Sequence, residues 1–204
     1  MNKDSGRSMV EMLGVLAIIG VLSAGALAGY SKAMFQHKLN QFTDAHSQLL
    51  QNYMALFPKL EYDTTQTTYH ADTIKAMNMI PNGFIYYDST FLQDMFYNKI
   101  KPNISKSHEG GITYHFASTD GGKMLCRQLF IIARENSRDL YYTYSDNGES
   151  AARGDDQKAS SFFYGDSFCG GSNEPCLSQM TINDMTDVCE QCDYSECRVF
   201  IKWK

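Results

Sequence analysis

Met9-Val10-Glu11-Met12-Leu13-Gly14-Val15-Leu16-Ala17-Ile18-Ile19-Gly20-Val21-Leu22-Ser23-Ala24-Gly25-Ala26-Leu27-Ala28-Gly29-Tyr30 is the stretch that decides how this chain is built. From Met12 to Tyr30 no side chain ionises except the terminal tyrosine. About 19 residues of helix, at 1.5 Å rise each, cover roughly the hydrocarbon core of a bilayer. The spacing predicts a membrane span over about 9–30. Glu11 is the exception, a lone carboxylate near the start of an apolar run, and such a group is costly in lipid. In a plain signal anchor it would be an acid snorkelling to the interface.

Gly6-Arg7-Ser8 stands just before the span, and Glu11 follows Gly6 at the fifth position. A short polar leader ending in glycine, with glutamate five residues later in an apolar helix, resembles the leader region of type IV pilins and type II secretion pseudopilins. The resemblance implies that a prepilin peptidase cuts after Gly6, that Arg7 becomes the first mature residue, and that Glu11 becomes the fifth. It also implies methylation of the new N-terminus. The family usually begins its mature chain with an apolar residue, whereas here the first mature residue would be Arg7, a departure that bears on methylation more than on cleavage.

Elementary electrostatics gives Glu11 a purpose in that setting. When helices leave the lipid and stack in a filament core, a buried carboxylate stranded without a cation costs several kcal/mol. The freed α-amine of a neighbouring subunit is the partner the resemblance implies. Such a pair also fixes axial register, because wrongly offset subunits leave both charges unmatched.

The chain has 204 residues, which leaves one globular domain after the leader and span are set aside. Its net charge of −5 disfavours a nucleic-acid binder. Lys3 and Arg7 against Asp4 weakly favour a cytoplasmic N-terminus and export of everything after Tyr30, while Lys32 and Lys38 oppose this. Six cysteines, Cys126, Cys169, Cys176, Cys189, Cys192 and Cys197, all lie in the part expected to be exported. Disulfides are the first reading. Cys189-Glu190-Gln191-Cys192 with nearby Cys197 also has zinc-ligand spacing, and a thiol oxidoreductase is a further reading of the same CxxC. An exported location favours disulfides over zinc, and no strand-loop-helix context precedes the CxxC.

Beyond Tyr30 the apolar positions Phe35, Leu39, Phe42, His46, Leu49, Tyr53 and Leu56 alternate at four and three, an amphipathic continuation that Pro58 ends. His46 reads as a histidine packed at the edge of a core. In the front half Gly25 and Gly29 form a GxxxG, and Gly20 with Ala24 extends the small face for close helix packing. Many pilins carry a mid-helix proline. This chain has none there, so any bend falls to the glycines.

After a threonine-rich connection, Asp72 to Pro81 reads as a short helix, 84–87 and 112–117 as strands, and 121–136 as a second amphipathic helix. Leu140 to Tyr144 reads as a strand ended by the turn Asp146-Asn147-Gly148, and Arg198 to Trp203 as a strand closing the sheet. From Asn147 to Asn173 the composition shifts to Gly, Ser and Asp, a long loop in which Arg153-Gly154-Asp155 is a chance-level tripeptide.

This order resembles the type IVb branch of the pilin family, on Met79-Ile80-Pro81, the Ile112 strand and Cys126. The resemblance implies an α+β, pilin-like fold: a long N-terminal helix, transmembrane in front and amphipathic behind, packed on an antiparallel sheet with a disulfide-rich C-terminal region. The expected divisions are a leader 1–6, a long helix 7–58 and a head 59–204. By analogy Cys126 pairs with a cysteine in 189–197. The favoured set is Cys126 with Cys189, Cys169 with Cys176 and Cys192 with Cys197, but sequence does not choose among the pairings, and Cys189 to Cys192 would close directly.

No metal-ligand doublet of histidines, G-x-S-x-G, P-loop or Rossmann pattern occurs, so an enzyme, a cofactor and a metal site are not expected. The resemblance implies a major or minor pilin of a type IV pilus-like filament. The precursor would sit in the bacterial inner membrane with its head in the periplasm, and the mature subunit in an extracellular filament. Its partners would be other copies and other pilins, the prepilin peptidase and an inner-membrane assembly platform. A secretion pseudopilin shares these features. A membrane-anchored ligand-binding ectodomain is the alternative of another class.

Overall fold

The computed structural model describes residues 9–146, 162–171, 173–190 and 196–204, with side chains from Glu11 onward. The chain divides into two compact units, the residues up to Gln41 and Phe42–Lys204. One helix, α1 (Met9–Leu56), begins in the first and ends in the second. Its first forty residues or so lack proline, and straight-chain or small apolar residues dominate them, which favours helix. A 3₁₀ turn, Phe57–Lys59, ends it at Pro58, whose ring and missing N–H bar a further α-turn.

The second unit is α+β. Its strands are β1 (Thr68–Tyr69), β2 (Ile85–Tyr86), β3 (Leu92–Gln93), β4 (Lys99–Ile104), β5 (Gly110–Ala117), β6 (Tyr142–Asp146), β7 (Phe163–Tyr164) and β8 (Glu196–Trp203). They form one antiparallel sheet in the order β2-β3-β4-β5-β8-β6-β7, with β1 also pairing β4. The helices α2 (Ala71–Ala76), α3 (Asp120–Glu135) and α4 (Ile182–Glu190) complete it.

One sheet face carries Ile100, Ile112, Tyr114, Val199, Ile201 and Trp203, all buried. The back of α1 packs there. Phe42, His46, Leu49, Tyr53 and Leu56 of the amphipathic stripe are buried, whereas Phe35, in the first unit, is exposed. His46 is deeper than a core edge, 1 % exposed, with its ring 4.7 Å from that of Phe84 and 5.3 Å from that of Tyr114. Thr119 caps α3 by accepting from the Gly122 amide, and α3 turns Leu125, Cys126, Leu129 and Phe130 inward.

Disulfides join Cys126 to Cys189 and Cys169 to Cys176, the same two pairs named first from the sequence. The former ties α3 to α4, and Lys123 donates to Glu190 beside it. Cys197 is disulfide-bonded too, and its expected partner Cys192 lies outside the described residues.

Several expectations change. The last strand does not close the sheet at an edge; β8 lies in its middle, hydrogen-bonded to β5 on one side and β6 on the other. The short helix stops at Ala76, and the 84–87 segment yields only two strand residues. The 140–144 strand is shifted to Tyr142–Asp146. Gly20/Ala24 and Gly25/Gly29 do not form one small face: five positions along a helix turn about 140°, so the two pairs open on different sides. Gly6, Arg7, the turn residues Asn147 and Gly148, and Arg153-Gly154-Asp155 lie outside the described residues.

Candidate functional site

The apolar front of α1 is one candidate. Its membrane-length window has no residue buried within the chain, and it is the single helix among the described residues long and apolar enough to cross a bilayer. Met12, Leu13, Leu16, Ile18, Val21 and Leu22 are all more than half exposed. Burying each such side chain is worth about 1.5–3 kcal/mol, so this surface belongs in lipid or against other apolar helices. A Cβ built on Gly14, Gly20, Gly25 or Gly29 meets nothing within 4 Å. The small residues are therefore open to close approach from more than one side. Glu11 lies in the first turn, exposed, where a carboxylate also suits the positive end of the helix dipole.

The second candidate is the sheet face opposite the helices, in the unit Phe42–Lys204. Strand register sets side chains there in rows. Tyr69, Asn103, Gly111, Lys202 and Tyr142 are cross-strand neighbours, and Lys101, Thr113, Phe200 and Tyr144 form the next row. Together they floor a groove of about 580 Å³.

Gly111 explains how Lys202 sits. A Cβ at Gly111 would crowd the Lys202 side chain at 2.5 to 2.8 Å, so the missing side chain lets the lysine lie flat across β5. Its Nζ then donates to Asn103 Oδ1 at 2.9 Å on the far strand. Asn103 is itself fixed, its Nδ2 donating to the Lys101 carbonyl at 2.9 Å and to Thr113 Oγ1 at 3.2 Å. Burial pushes the Lys202 ammonium down to about 8, with Glu109 opposing the shift. Burial likewise lowers Lys101, whose ammonium lies 4.8 Å over the Phe91 ring.

The third row is self-contained. Arg198 is bidentate to Asp146, at 2.6 and 2.8 Å, and His115 Nδ1 lies 2.9 Å from Glu196. Burial lowers the His115 pKa, Glu196 opposes the shift, and the charges of Lys101 and Arg198 add to the lowering. In the second row, Tyr144 stacks on Phe200 with centroids 4.4 Å apart.

Among the sequence candidates, the fold brings Cys126 to Cys189 and Cys169 to Cys176, while Glu11 and the glycines Gly20, Gly25 and Gly29 share only the uncovered helix. The described residues include no group of three or more His, Cys, Asp or Glu able to hold a metal. The groove was missed. Its signal was alternation in Lys99-Ile100-Lys101-Pro102-Asn103-Ile104 and in Arg198-Val199-Phe200-Ile201-Lys202-Trp203, whose even and odd positions separate a polar from an apolar face. Comparison with protein-family models, curated proteins and solved structures finds no match.

Proposed function

We propose that this chain is a structural subunit, a major or minor pilin, of a type IV pilus-like surface filament. It would be held in the inner membrane as a precursor, processed after Gly6 and assembled through α1. The observation that carries the reading is Glu11 at the head of an apolar helix that the chain itself leaves bare. In lipid that carboxylate is a liability; in a bundle it is a ligand for a neighbour's amine. Glycines open on two sides of the helix suit packing against several neighbours rather than one. A secretion pseudopilin would use the same helix.

A second reading, a membrane-anchored ligand-binding ectodomain, draws on the sheet groove. The two diverge at Glu11. Glu11→Leu suits lipid at least as well as glutamate, so insertion and folding stay normal on both readings. On the filament reading the variant is not incorporated into filaments when it is the sole copy; incorporation at the wild-type level would exclude Glu11 from assembly.

A further inference from the structure

Lys202 is only 9 % exposed, and the acceptor that meets its ammonium, Asn103 Oδ1, is neutral. No carboxylate among the described residues lies within ion-pair distance of Lys202 or of Lys101. An ammonium has three donors, and Glu109 acts on it only from beyond ion-pair distance, so burial outweighs that charge and the cation is costly to hold. Here the cost is built in, because Gly111 leaves room for the lysine and Asn103 is held by two hydrogen bonds to receive it.

The surroundings narrow what would answer that charge. The groove volume falls within the range of small-molecule sites, roughly 300–1,000 Å³. Thr113 and Ser105 line the groove together with Tyr69 and Tyr142, a mixture of hydroxyls and rings suited to a ligand with many hydroxyls and an apolar flank. Glu109 lines the same groove and would repel a polyanion while accepting hydrogen bonds from hydroxyls. The net charge of −5 adds to that repulsion.

We propose that this groove binds an acidic sugar, a ring bearing a carboxylate or a sulfate, with the acid group at Lys202 and Lys101 and the ring beside Tyr69 and Tyr142. The inference holds whether the head is displayed on a filament or on a membrane anchor. Carboxylate and sulfate offer the same chemistry to the two ammoniums and are separated by the test.

The test titrates the full chain in detergent micelles with a galactose disaccharide bearing one uronate carboxylate, a monosulfated galactose disaccharide and neutral digalactose. At least one acidic sugar should bind about tenfold or more tightly than the neutral one, since charge-assisted hydrogen bonds supply the difference. Which acid binds identifies the source. Lys202→Met and Lys101→Met should each weaken that binding about tenfold, with unfolding temperature retained. Wild-type binding should weaken as pH rises through about 8, where Lys202 loses its proton. Should Lys202→Met fail to fold, Lys101→Met carries the test, because Lys101 is only half-buried. Binding of none of the three sugars, equal binding of the neutral one, or full binding by Lys101→Met would overturn the proposal.

Discussion

Tyr53 of the long helix meets Trp203 of the last strand edge to face, with ring centroids 5.4 Å apart and planes at 84°. Both rings are buried, and Phe57 adds a second edge contact to the same indole at 6.2 Å. The contact joins the back of α1 to β8, which lies in the middle of the sheet. Gly110 lies opposite Trp203, and a Cβ there would collide with the indole. Trp203→Ala should therefore lower head stability by about 3–5 kcal/mol, the range for emptying a large aromatic site. Gly110→Ala should destabilise by overpacking, by about 1–3 kcal/mol. Chemical denaturation of the full chain in micelles, followed by tyrosine and tryptophan fluorescence, checks both.

Breaking the Cys126–Cys189 bridge should cost more than breaking Cys169–Cys176. Their sequence separations are 63 and 7, and chain-entropy reasoning gives about 4 against about 2–3 kcal/mol. Comparison of Cys126→Ser/Cys189→Ser with Cys169→Ser/Cys176→Ser by denaturant midpoint tests the order. Equal losses would mean that the α3–α4 contact holds without its bridge.

Acid should loosen the head through His46. Burial lowers its pKa below the ordinary 6.5, and the Asp94 carboxylate at 3.4 Å only partly opposes the shift. The folded histidine is thus less protonated than the unfolded one. Its contribution to stability is present above 6.5 and shrinks as pH falls below that value, because the unfolded chain takes up the proton first. His70 and His115, also lowered, act in the same direction. His46→Phe should flatten the decline of unfolding temperature between about pH 6.5 and 5. An unchanged slope would assign the acid sensitivity elsewhere.

Replacing Gly6 with a bulky residue should leave uncut precursor in the membrane, because the proposed peptidase reads the glycine at that offset from Glu11. Normal maturation of that variant would remove the peptidase from the account.

The helix α1 was legible because a 3.6-residue period and a long uncharged run are strong local signals, and its end at Pro58 follows from ring geometry. The α3 helix and the 112–117 strand were legible for the same reason. The β4 strand was not, since Pro102 argues against a paired strand. The fold resolves this by direction: the Pro102 carbonyl accepts from the His70 amide, so its missing N–H faces that short outer segment and not β5. The α4 helix was hidden by its polar composition, although Thr181 and Asp184 form a reciprocal cap and Met185, Val188 and Cys189 mark one buried face. Alternation in 99–104 and 198–203 marks a polar face on each strand, but which residues meet across the groove needs pairing register, which no local pattern carries. It depends on β8 inserting between β5 and β6 to bring Lys202 beside Asn103.

The central claim, that the bare helix of this chain is an assembly element, is met most directly by the intact mass of the polypeptide in material sheared from the surface of expressing cells. The account predicts a species that begins at Arg7, lacks Met1 to Gly6 and carries its disulfides oxidised. Recovery of the chain only in the membrane fraction, at full length and with nothing in the sheared material, would contradict it.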